Sequence, residues 1–190
     1  MIVFLGDSIT QWWDAEFFNH HFGMYTPINL GMSGHTTKDT LEYIELSKLN
    51  NFRPSKLVLQ IGTNDGDRNM CTGETLENIQ QICKLLLELS PATKILLIGP
   101  LPRGETSVDK YRVYNREVNK LLYSAKRDKR VTYIDIGIMF TEVDGTISKN
   151  IMYDFLHLTK KGYEILSEAV SQFLFSSSEP ASPVPLPRLS

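Results

Sequence analysis

Two periods of apolar residues alternate along this chain. Five short runs, 2–6, 25–31, 55–65, 94–100 and 130–137, are mostly apolar at nearly every position rather than at every second one. That pattern predicts strands buried on both faces, as in a parallel sheet covered by helices on each side. Between the runs the spacing becomes helical. Residues 75–90 place Leu76, Ile79, Ile82, Cys83, Leu86 and Leu87 on one face and stop before Pro91. Residues 108–127 turn Tyr111, Tyr114, Val118, Leu121 and Leu122 inward, and 159–175 read as a last helix with Thr159 as its cap. Shorter helices are expected over 10–22 and 36–49. Strand and helix in alternation predict an α/β fold, a three-layer α/β/α sandwich with a five-stranded parallel sheet and right-handed crossovers. No internal repeat is evident.

Composition narrows this little. A chain of 190 residues suits one domain with a sizeable core, assigned to 1–175. The remaining 176–190 hold four prolines and five serines and read as a disordered or linker tail. A formal net charge of −2 gives no electrostatic case for a nucleic-acid partner. The one basic run, Lys126, Arg127, Lys129 and Arg130, stands where cations complement the end of a helix. Cys71 and Cys83 suggest neither a disulfide framework nor a zinc site, so reduced thiols are expected. No stretch approaches a membrane span, and "MIVFL" is too short and uncharged for a signal peptide. A cytoplasmic location is the expectation, although a removed signal peptide would leave the same sequence.

The informative residues follow the apolar runs. In a parallel sheet all strands end on one edge, and that edge carries the ligand crevice. After the first run comes Gly6-Asp7-Ser8, after the second "GMSGHTT" (31–37), after the third "GTNDG" (62–66), and after the fourth "GPLPRG" (99–104). Before the last helix stands "YDFLHLT" (153–159), with Asp154 and His157. A serine hydroxyl needs an adjacent base to act as a nucleophile, and His157 is the best placed of the four histidines. Asp154, three residues earlier, can reach the second ring nitrogen and stabilise an imidazolium. Acyl transfer also needs hydrogen-bond donors for an oxyanion; the backbone N–H groups of Ser8 and Gly34 and the side chain of Asn64 could supply them.

Each residue also has a bland reading. Ser8 alone reads as a helix cap, Asn64-Asp65-Gly66 as a turn, and His157 and Asp154 as locally satisfied residues before a helix. His20 and His21 read as structural. What outweighs these readings is the joint occurrence of the set, in order, at equivalent strand ends. No paired His/Asp/Glu spacing suggests a metal, and neither a dinucleotide fingerprint nor a phosphate-binding loop is present, so no cofactor is expected. The nucleophile elbow of the α/β-hydrolases is absent too.

"GDSI", "NLGMSGHTT", "IGTND" and "DFLHLT" resemble, in order, the four sequence blocks of the SGNH (GDSL-type) hydrolases, over residues 1–175. Among them the chain resembles small acylhydrolases and platelet-activating-factor acetylhydrolase-like esterases. Ile9 stands where many members have leucine, a conservative change. The resemblance implies a flavodoxin-like sandwich, Ser8 as nucleophile, His157 as base, Asp154 as third member of a triad, and an oxyanion hole from Ser8, Gly34 and Asn64. It leaves the acyl group open. Short connections with no lid insertion favour a small-molecule acyl ester, acetyl first, on a carbohydrate or a lipid. Longer-chain lysophospholipase or thioesterase activity, acyl transfer to an alcohol, and a non-catalytic carbohydrate- or lipid-binding module are the alternatives. Candidate substrate contacts are Asp7, Trp12, His35 and Arg103. Against them stand a helix face packed on the sheet for the tryptophans, and a solvated surface position for Arg103.

Overall fold

The computed structural model describes residues 1–46 and 53–175; the Pro/Ser-rich tail and the end of the 36–49 segment lie outside them. Strands β1 (Ile2–Gly6), β2 (Pro27–Gly31), β3 (Lys56–Gln60), β4 (Lys94–Ile98) and β5 (Val131–Ile134) form one sheet in the order β2-β1-β3-β4-β5. Every pairing is parallel, with Gly6 opposite both Gly31 and Gln60. Successive side chains of a strand point to opposite faces. Phe4, Val58, Leu96 and Ile98 accordingly join one core cluster, while Val3, Leu5, Leu57, Leu59 and Leu97 join the other. Burial on both faces is why the strands read as unbroken apolar runs.

Among the described residues six helices accompany the sheet: α1 (Ser8–Gln11), α2 (Ala15–Phe22), α3 (Thr37–Leu46), α4 (Thr72–Leu89), α5 (Lys110–Ser124) and α6 (Lys160–Phe175). α2 and α6 pack together on the first face, through Phe18, Phe22, Leu166 and Val170. α3, α4 and α5 cover the second, through Ile44, Ile79, Ile82, Leu86, Val118 and Leu122. The three-layer α/β/α sandwich with a five-stranded parallel sheet is therefore present. Strand order reverses between β1 and β3, and the crevice of an open α/β sheet opens outside that switch point.

Several boundaries differ from expectation. The helix expected over 10–22 is two helices, because Asp14 starts a new one by accepting hydrogen bonds from the N–H groups of Glu16 and Phe17. β2 starts at Pro27, after a 3-10 turn over Gly23–Tyr25 and a left-handed Thr26 (φ 53°). β3, β4 and β5 end earlier than their apolar runs, and the residues beyond them become crevice loops. α4 starts at Thr72, capped by the Cys71 thiol. In α5 the buried residues of the early turns are Arg112 and Asn115, whereas Tyr111 and Tyr114 are half-buried. Arg112 donates to the carbonyls of Arg103, Gly104 and Gly145, and Asn115 to Thr63 Oγ1 and the Leu101 carbonyl. Loop carbonyls buried at the crevice edge need such donors more than they need apolar cover. Thr159 does cap α6, accepting from Gly162 N–H at 3.2 Å, and Arg127 donates to the last carbonyls of α5, Leu122 and Tyr123.

Candidate active site

β1 ends where α1 lies directly across the strand ends. A Cβ on Gly6 would sit 2.3 Å from both the Gln60 carbonyl and Thr10 Oγ1, and one on Gly31 would sit 2.0 Å from Gln11 N. Only glycine permits this approach. Asp7 rather than Ser8 is the cap of α1: its Oδ1 accepts from Ile9 N–H at 2.9 Å. Ser8, freed from capping, places Oγ 3.0 Å from His157 Nε2. α1 is held from outside by Tyr163, whose hydroxyl donates to the Ile9 carbonyl, and by Asn29, whose amide donates to the Thr10 carbonyl.

His157 comes from a tight turn closed by an antiparallel bridge between Met152 and Leu158. Asp154 organises that turn. Its Oδ1 accepts from the N–H groups of Leu156 (3.1 Å) and His157 (2.7 Å), and its Oδ2 lies 2.6 Å from His157 Nδ1. Burial pushes the Asp154 carboxyl upward, but hydrogen bonds and charge from His157, with the Leu156 N–H, outweigh it and leave the group below the usual carboxylate range. The turn carries strain: Phe155 has φ 61°, and its carbonyl accepts from Gly104 N–H at 2.9 Å. A non-glycine residue in the left-handed region costs about 1–3 kcal/mol.

Gly34 sits in the loop after β2 with φ 76° and open space where a side chain would be. The loop is pinned to α1 and β1, since Ser33 N–H donates to Gln11 Oε1 and Met32 N–H to the Gly6 carbonyl. Asn64, just past β3, donates through Nδ2 to the His35 carbonyl at 3.0 Å. That bond orients the amide and uses one of its two hydrogens. The N–H groups of Ser8 and Gly34 donate to no described residue. Behind Asn64, the buried Asp65 accepts from Thr37 N–H, Thr37 Oγ1 and Thr75 Oγ1, tying the loop to α3 and α4. Burial raises the Asp65 carboxyl despite these bonds.

Residues 4–165 match the GDSL-like lipase/acylhydrolase family. The chain belongs to that family. The platelet-activating factor acetylhydrolase IB subunit alpha1 of Rattus norvegicus is 31% identical over 98% of this chain and 81% of its own length. The human alpha2 subunit is 33% identical over 94% of this chain and 79% of its own. A catalytic mutant of an acetylxylan esterase from Geobacillus stearothermophilus superposes with a TM-score of 0.71, covering 92% of this chain and 93% of the other at 17% identity, which shows a shared fold.

In this acylhydrolase the four candidate substrate contacts fall in different surroundings. Trp12 is 47% exposed, its ring 4.6 Å from that of His157, whereas Trp13 is core and donates to Ser167 Oγ. The helix-face reading therefore holds for Trp13 and not for Trp12. Arg103 is half-buried rather than free in solvent: it grips Asp67 at 2.6 and 3.2 Å, reaches the Thr63 carbonyl, and stacks on Tyr111. His35 meets Asn64 through its backbone carbonyl, while its ring turns to Tyr43. Asp7 is buried, which raises its carboxyl to about 7; Ile9 N–H and Arg103 oppose the rise and Asp65 adds to it. Asp7 thus caps α1 from a buried position. Sequence reasoning missed Tyr153, 53% exposed, whose ring stacks with that of His157 at 6.0 Å. Its one signal was its place beside Asp154. Among the described residues no three His, Cys, Asp or Glu side chains gather as ligands for an ion, and no helix is long and apolar enough to cross a membrane.

Proposed function

We propose that this acylhydrolase is a serine esterase that cleaves small acyl esters, acetyl best, through an acyl-enzyme on Ser8, within a catalytic unit spanning residues 1–175. The observation that carries the reading is the unbroken line Ser8 Oγ, His157 Nε2, His157 Nδ1, Asp154 Oδ2, with contacts of 3.0 and 2.6 Å. His157 takes the Ser8 proton as Oγ attacks the ester carbonyl, and Asp154 holds the ring tautomer and the charge that develops on it. The N–H groups of Ser8 and Gly34 and the second Nδ2 hydrogen of Asn64 bind the oxyanion. His157 then gives the proton to the departing alcohol, and water attacks the acyl-enzyme by the same route. Neither nucleophile nor base needs a cofactor in this scheme.

Two things support a small acyl group. The loops after β1 and β2 are short, with no lid among the described residues. The relatives and the acetylxylan esterase also carry acetyl in their names. Turnover of p-nitrophenyl esters across chain lengths, with acetylated sugars alongside, tests the reading. The expected order is acetyl over butyryl over octanoyl. Octanoyl beating acetyl tenfold or more would replace the acetylesterase with a lipase or thioesterase.

A further inference from the structure

The crevice is not the only concavity in the fold. α4 and α5 lie side by side on the second face of the sheet and are pinned where they begin, by a 2.7 Å hydrogen bond between Thr75 Oγ1 and Tyr114 OH. A longer link runs from Gln80 Nε2, midway along α4, to the Lys126 carbonyl just past α5, at 3.4 Å. Along the C-terminal half of α4 and the end of α5 a cavity of about 300 Å³ runs down to β4 and β5. Its floor is apolar, made by Ile79, Cys83, Leu87, Leu97, Leu122 and Val131. None of these is more than 7% exposed, so the floor of the slot lies below the protein surface. A space of about 300 Å³ with an apolar floor has room for a single unbranched chain.

The mouth of the slot is cationic, in a chain whose net charge is −2. Lys84, Lys126, Arg127 and Arg130 line it, against Glu88 and Asp128. Arg130 is taken up by Asp128 and the Pro91 carbonyl, and Arg127 by the end of α5 and the Tyr133 ring. Lys84 and Lys126 form no ion pair among the described residues. Two free ammonium groups above an apolar slot favour a ligand with one negative end and one greasy end. Burial of its chain is driven by the hydrophobic effect, and charge-assisted hydrogen bonds fix its head. We infer that the α4–α5 slot binds a single-chain amphiphile with an anionic head, a medium-chain carboxylate, with Lys84 and Lys126 as its head-group contacts. This does not depend on the chemistry assigned to the crevice.

Titration calorimetry of the full chain with sodium decanoate, 1-decanol and decyltrimethylammonium tests it, with inhibition of p-nitrophenyl acetate turnover measured in parallel. The expected result is one decanoate per chain, bound at least about tenfold more tightly than the cationic amphiphile. The double variant Lys84→Glu/Lys126→Glu should weaken decanoate by about tenfold or more and leave ester turnover within twofold, since both side chains are remote from Ser8. Cys83→Met, which narrows the slot, should weaken decanoate and decanol together. The inference is overturned by absent binding, by equal affinity for the cationic amphiphile, or by decanoate binding that survives the lysine reversals and simply tracks competitive inhibition at the crevice.

Discussion

His157 Nε2 lies 3.0 Å from Ser8 Oγ, across 149 residues of chain. The two residues share no local element: one follows the first strand, the other precedes the last helix. If the pair is the reacting one, Ser8→Ala and His157→Ala should each lower p-nitrophenyl acetate turnover by about 10⁴-fold or more, and the double variant should be little worse than either single. Turnover retained in Ser8→Ala would sink the serine-esterase reading.

Asp154 has two tasks that substitution separates. Asp154→Asn keeps an acceptor for the Leu156 and His157 N–H groups but removes the charge opposite Nδ1, so kcat should fall about 10²–10⁴-fold with the melting temperature nearly unchanged. Asp154→Ala removes both, so a similar kcat loss should come with a lower melting temperature, because Phe155 then loses part of what holds it at φ 61°. Equal melting temperatures for the two variants would contradict this division.

The donors proposed for the oxyanion differ in kind. Asn64→Ala should cost about 10²–10³-fold in kcat with a smaller change in KM. Gly34→Ala meets no neighbour, yet its backbone at φ 76° disfavours a side chain, so it should destabilise by about 1–3 kcal/mol and lower kcat through loop displacement. Steady-state kinetics with thermal melts on both variants separates the two effects.

Exposed Trp12 and Tyr153 both lie against the imidazole that would protonate the leaving group, which makes them candidate contacts for that group. Trp12→Ala and Tyr153→Ala should raise KM for aryl or sugar acetates by about 2–12-fold, the range of one aromatic contact. Ethyl acetate should show little change. A uniform loss across all three esters would assign the rings to support of His157 instead.

Asp7 gives stability a pH dependence of defined sign. Its carboxyl is raised from 3.8 to about 7 in the folded chain, so the folded state holds a proton that the unfolded state has released. Stability from this group is full below pH 4 and declines as pH rises towards 7, by at most about 4 kcal/mol. Asp7→Asn keeps the Ile9 cap bond and should flatten that decline in chemical denaturation between pH 5 and 8. Identical slopes for the two proteins would show that Asp7 is ionised throughout.

The sheet was legible because strands buried on both faces leave apolar residues at every position, and such runs are hard to mistake. Their ends were less legible. Ile61, Leu101 and Ile136 are all buried just past their strands, so the apolar signal continues where the pairing has stopped. The break in 10–22 was hidden by Trp12, which extends an apolar pattern while standing half in solvent beside His157. Arg112 and Asn115 escaped because periodicity counts apolar side chains, and these two are buried to satisfy carbonyls. Ser8, Asp154 and His157, which the structure brings into one hydrogen-bonded line, were expected together from their places at the sheet edge, whereas Tyr153 belongs to no period at all.

Tyr163 and Trp13 bind α6 to the segment that begins the chain, through Ile9 and Ser167. Ser8 therefore has no base beside it until the segment that carries His157 has folded and α6 has docked. Hydrolytic competence then becomes a chemical clock for the last step of folding. Following refolding by recovered turnover, beside tryptophan fluorescence, would time the closure of the first and last elements separately from formation of the sheet.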